Sequence, residues 1–217
     1  MVTLPEGSSG PSPIPAELLH EEAIRLYEKG KYEEALGLIE GALKCEERFS
    51  IISNGQLLDR RAFETFDLKR RLMQVDISVD AARAETYEMV RRGGDFNRLL
   101  RNLQFLDDFR AVEGETFRIV LRFVVSAMNF REIPEFVNLA RRFHADSVLF
   151  TIIRNWGSFT DCEFERMNVA SSTNPLHGEF VEILNSPELL DPIVDMGSIE
   201  PYRNRKKSAQ PLEGQLA

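Results

Sequence analysis

The chain is poor in the residues that announce common chemistries. It holds two cysteines, Cys45 and Cys162, in 217 residues. They are too far apart in sequence for a CxxC-type metal site, and with no export signal they read as reduced thiols. No stretch approaches the roughly 20 apolar residues of a spanning helix, and the N-terminus lacks the charged start and apolar core of a signal peptide. A cytoplasmic location without membrane attachment is the expectation. His20, His144 and His177 share no metal-ligand spacing with the cysteines, so no metal site is expected. The chain has no Walker loop, no Ser-His-Asp elbow and no GxGxxG after a strand, which removes the usual nucleotidase, hydrolase and dehydrogenase readings. The net charge of −8 and pI near 5.1 argue against nucleic acid, whose phosphates the protein would repel. The basic run Arg203-Asn204-Arg205-Lys206-Lys207 reads as a solvated tail.

What is present falls into four parts. Residues 1–15 carry Pro5, Pro11, Pro13 and Pro15 with Gly and Ser, a composition expected to give a disordered leader. From 16 to 47 the chain reads as a helical hairpin, with Leu19, Ala23, Leu26 and Tyr27 on one face, Tyr32, Ala35, Leu36, Ile39 and Ala42 on the next, and Gly30 between them. It resembles one tetratricopeptide repeat, in which Gly30 is the turn glycine and Ala35 and Ala42 are small packing residues. A single repeat must pack on something else, and a plain hairpin docked to the next domain is the competing reading. Residues 48–200 form an α/β region, and 201–217 are expected to be a disordered tail.

Within the α/β region, short apolar runs end in small polar residues: Phe49 to Ile52 before Ser53-Asn54-Gly55, Val75 to Ile77 before Ser78-Val79-Asp80, Ile119 to Val125 before Ser126 to Asn129, and Ser147 to Ile153 before Arg154-Asn155-Trp156. Amphipathic patterns at about 58–68, 83–92, 95–110 and 131–143 connect them. This predicts a parallel sheet of about four strands, a partial (β/α) barrel or half-barrel, with its polar groups at the strand C-terminal rim. Pro134 falls in the first turn of its helix, and Thr160 with Glu163 makes a capping box.

Four blocks carry a family resemblance: IISNGQLLD at 51–59, VDISVDAARAETYEMVRRGGDFNRLLRNLQFL at 75–106, FVVSAMNFREIPEFVNLARRFHADSVLF at 123–150 and IRNWGSF at 153–159. Together they resemble strands three to six of the radical S-adenosylmethionine (AdoMet) barrel. The resemblance implies an AdoMet site in which Ser53-Asn54-Gly55 is the family's Thr-Asn-Gly-like turn and Ser78-Val79-Asp80 its Ser-x-Asp. It also implies a [4Fe-4S] cluster, whose CxxxCxxC ligands are absent here. The chain therefore reads as a truncated or degenerate member without radical chemistry of its own, and whether it is an enzyme stays open.

The candidate cofactor-binding residues are Ser53, Asn54, Ser78, Asp80 and Asn129. Each has a competing local reading. Asn54-Gly55 is a turn signal, Asp80 suits an N-cap for a helix near Ala82, and Asn129 suits a cap for the helix with Pro134 and Glu135. Candidate substrate-binding residues are Arg154, Asn155 and Trp156, which could take a carboxylate or phosphate and stack on a planar group; the competing reading has Trp156 sealing the core. The Arg91 to Phe96 segment follows a helix rather than a strand, so Gly93 as its C′ residue outranks a phosphate loop. The alternative class is a non-enzymatic interaction module. It would use the helical repeat for a peptide or protein partner and the open strand at 49–53 as an edge for pairing, with a homo-oligomer as one way to cover it.

Overall fold

The computed structural model describes residues 48–114 and 117–203. The leader, the helical pair, Cys45 and the end of the tail lie outside the described residues. The chain divides into two compact units, Met1–Phe49 and Ser50–Ala217, and the fold below is that of the second, extended by Phe49 at the start of its first strand.

The strands are β1 (Phe49–Ser53), β2 (Leu72–Ser78), β3 (Arg118–Val125), β4 (Ser147–Ile152) and β5 (Val194–Asp195). They form one sheet in the order β1-β2-β3-β4-β5, and β2 to β5 pair in parallel. Sequential order is the arrangement of a (β/α) barrel, because crossovers of one hand then place every connecting helix on the same face. The sheet is open, so the architecture is a partial barrel. β5, two residues long, was not anticipated: Ile193-Val194-Asp195 lies in a stretch broken by Pro187 and Pro192 and is too short to show a period.

The crossovers are α1 (Arg60–Thr65) and α2 (Leu68–Arg71) after β1, α3 (Ala84–Val90) and α4 (Phe96–Glu113) after β2, and α5 (Ile133–Arg142) after β3, with α6 (Asp161–Met167) and α7 (His177–Ile183) between β4 and β5. The helix expected over 58–68 is interrupted at Asp67, whose φ of 48° is left-handed. Pro134 sits in the first turn of α5. Thr160 caps α6 with the reciprocal Glu163 bond that the spacing predicts.

The two faces of the sheet differ. Val75, Ile77, Ile119, Leu121, Phe123, Val125, Val148 and Phe150 alternate along the strands and are almost fully buried. Phe123 stacks its ring edge on Phe136 of α5 at 4.8 Å, and Phe150 lies 5.6 Å from Phe123, so the helix layer and the strands share one core. The alternate positions, Gln74, Asp76, Ser78, Arg122, Val124, Leu149 and Thr151, are half-buried or exposed. Only the N-terminal end of that second face is apolar and closed, at Leu72 and Val120.

Candidate functional site

Among the described residues the α-helices pack on the first face, so the second is helix-free, and the site is its C-terminal half with the loops that leave it. Parallel register sets Ser78 beside Arg122 and Val124 beside Thr151, and residues in register on neighbouring strands project to the same side. The Arg122 guanidinium donates to Asp76 Oδ2 at 3.2 Å, and Gln74 Nε2 donates to Asp76 Oδ1 at 2.6 Å. Two alternations in the sequence foretell this face: Gln74, Asp76 and Ser78 interleave with Val75, Ile77 and Val79, and Arg118 and Arg122 interleave with Ile119, Leu121 and Phe123. A parallel strand covered on both sides is apolar throughout. Gln74, Asp76 and Arg122 were not among the expected site residues, which lie at the strand ends.

Asp80, two residues beyond β2, has a left-handed φ of 63°. Its carboxylate accepts from Val124 N at 2.7 Å and pairs with Arg91 at 2.5 Å, and burial, opposed by Arg91 and that backbone bond, holds its pKa above the ordinary carboxylate value. Asn129 Nδ2 donates to Asp80 O at 2.8 Å and Val124 O at 2.9 Å, while its Oδ1 accepts from Ser126 N at 2.8 Å. Asp80 and Asn129 thus continue the β2–β3 ladder through side chains and fix where both strands stop.

The cap readings for these residues are corrected. The helix after β2 begins at Ala84 with Arg83 as N-cap, and the free Ala82 and Arg83 amides donate to Glu132 Oε2 at 2.7 and 3.1 Å. Glu132 lies some fifty residues on in sequence, so no local pattern pointed to it. Asn129 makes no capping bond to the short 3-10 turn that follows it.

Ser53 Oγ accepts from Gly55 N at 3.1 Å and Asn54 Oδ1 from Gln56 N at 3.1 Å, so both shape the turn after β1. Gly55 has φ 75°, and a Cβ there would lie 2.6 Å from Leu99; the turn needs glycine. Asn102 secures it by donating to Gly55 O and Gln56 O at 2.8 and 3.0 Å. Ser78 projects from the open face with no hydrogen-bond partner among the described residues. After the segment at Arg91, the chain carries a left-handed φ of 78° at Gly93, two residues beyond Arg91, which is the C-cap itself. Gly93 thus sits one place later than the C′ position expected for it.

Beyond β4, Asn155 organises its own loop: Oδ1 accepts from Gly157 N at 3.0 Å and Phe159 N at 3.3 Å, and Nδ2 donates to Phe159 O at 3.0 Å. Arg154 is exposed, and Trp156 is 82% exposed, so the indole does not seal the core. The structure therefore brings Ser78, Asp76 and Arg122 onto one face, with Asp80 and Asn129 beneath its rim and Arg154 and Trp156 at the exit of β4.

No family model matches the chain, and no curated protein matches it. Among solved structures, one described as "Structure of TYW1 with a lysine-pyruvate adduct bound" overlaps it with a TM-score of 0.43 and 17% identity, over 78% of this chain and 58% of that one. The chain thus spans little more than half the length of that protein. The fold assignment rests on the strand order and register, which make this an α/β protein built on an open, parallel, sequentially ordered sheet.

Proposed function

We propose that the described region is a radical-AdoMet-like partial barrel that binds a small ligand against the C-terminal half of its helix-free face. The observation that carries this reading is the contrast within single strands. Val75 and Ile77 are fully buried, while Asp76 between them and Ser78 just beyond belong to a half-buried polar row with Arg122. Polar groups at strand C-termini are where folds of this kind keep their ligands.

AdoMet is the ligand that the sequence resemblance implies. The Ser78 hydroxyl, the Ser53 hydroxyl proton and the Asn54 amide nitrogen are what the expected set has left to offer it, and Asp80 and Asn129 support the site by fixing the strand ends. The iron–sulfur group does not fit this chain's own residues. A cluster needs several thiolates converging on one set of irons, whereas Cys162 is exposed on α6 and Cys45 is the only other thiol. No cluster-dependent step is assigned here.

Calorimetric titration of the full chain with AdoMet tests the proposal. Saturable heat that weakens in Ser78→Val is expected; no heat and no thermal shift at about millimolar ligand contradicts it. A second reading, an interaction module, draws on Ile52 and Val124, which are 57% and 37% exposed. Their exposure would be relieved by a partner protein or a second copy. Sedimentation that depends on protein concentration, lost in Ile52→Lys, would favour it.

A further inference from the structure

We propose that Arg154 and Trp156 form a subsite of their own for a planar ligand bearing an anionic group, of the mononucleotide class. The position is fixed by the sheet. Ile153 N donates to Val125 O at 3.0 Å, so the β3–β4 ladder runs one residue past Ile152, and Arg154 is the first residue free of it. The three Asn155 bonds and the left-handed Gly157, φ 88°, then hold the loop in a turn that carries Trp156 outward. The exposure of the indole is a built property of that loop.

Charge points to the ligand. The neighbouring rim guanidiniums are already committed, Arg91 to Asp80 at 2.5 Å and Arg122 to Asp76 at 3.2 Å. Arg154 has no carboxylate partner among the described residues, although the chain carries a net charge of −8. An uncommitted planar guanidinium favours bidentate binding of phosphate or carboxylate, and an indole offers a wide face for stacking. The combination asks for a flat ring and an anion in one molecule. AdoMet also carries a carboxylate, but with an ammonium and a sulfonium beside it the molecule is net positive, whereas a monophosphate brings only negative charge to an unpaired guanidinium; the subsite is on that ground proposed apart from the AdoMet site.

Trp156 is the only tryptophan and therefore reports on its own site. The full chain is titrated with adenosine 5′-monophosphate, adenosine and ribose 5-phosphate while its fluorescence is followed. Saturable quenching is expected for the monophosphate, with adenosine about tenfold weaker, the scale of one charge-assisted contact. Arg154→Gln should bring the monophosphate down to the adenosine value and leave adenosine unchanged. By calorimetry, Trp156→Leu should weaken both nucleoside ligands and spare ribose 5-phosphate. Equal affinity for monophosphate and adenosine, an Arg154→Gln variant that binds like wild type, or no saturation up to the order of 10 mM each overturns the proposal. Displacement of the monophosphate by AdoMet would merge this subsite with the AdoMet site and also overturn it. Monophosphate binding without any AdoMet heat would leave it standing and sink the function proposed above.

Discussion

The two faces of this sheet are built from the same strands and do opposite work. On the helix side, Ile77, Leu121, Phe123, Val125 and Phe150 have lost essentially all contact with water. On the other side, one residue away in each strand, Ser78, Arg122 and Thr151 keep part of theirs, and Asp76 a smaller part. Stability resides in the first face, and the second is free to vary its chemistry because little of the core depends on it. The contrast teaches where to look for ligands in a partial barrel: on the strand positions that the hydrophobic alternation leaves over.

The sharpest break of that comparison comes from the buried side. Phe123→Ala removes a ring that touches Phe136 and Phe150 and should cost about 3–5 kcal/mol in urea unfolding. Asn129→Ala should follow at about 2–3 kcal/mol, because it leaves the Ser126 amide and the Asp80 and Val124 carbonyls without their buried partner. That loss would mark Asn129 as a structural clasp beneath the rim.

How far these features were legible in the sequence depends on their range. The four longer strands and the helices between them follow from local period and turn residues, and the Thr160–Glu163 cap from a spacing of three. Glu132 serving the start of α3, and Asp80 replacing a backbone acceptor for Val124, depend on strands meeting in space, which no local pattern encodes. Asp76 and Arg122 were readable from alternation, but only if the uncovered face is sought for its own sake. Among the expected site residues, Ser53, Asn54 and Asn155 are engaged in their own turns, as Asn-Gly and Asn-x-Gly patterns favour.

A smaller effect separates the rim from the surface by its pH dependence. Burial raises the native pKa of Asp80, so the folded chain takes up this proton at a higher pH than the unfolded chain does. Wild type should therefore gain stability relative to Asp80→Asn as pH falls from about 7 towards about 4. A relative loss over that range would mean that Arg91 and the Val124 amide outweigh burial. The surface carboxylate Glu135 behaves in the opposite sense: its bond to Arg83 lowers its pKa, and its contribution should fade as pH falls through that lowered value. Smallest of all, Val124→Ala on the open face should change stability by less than about 0.5 kcal/mol, in contrast to Phe123 next to it.

The central claim is that ligand meets the helix-free face. Methyl NMR during an AdoMet titration reads it most directly. The account predicts that the methyls of Val124 and Thr151 shift with saturation while those of Val75, Leu121 and Val148, under the helices, stay in place. Shifts confined to the helix-covered methyls, or none on either face, would contradict it.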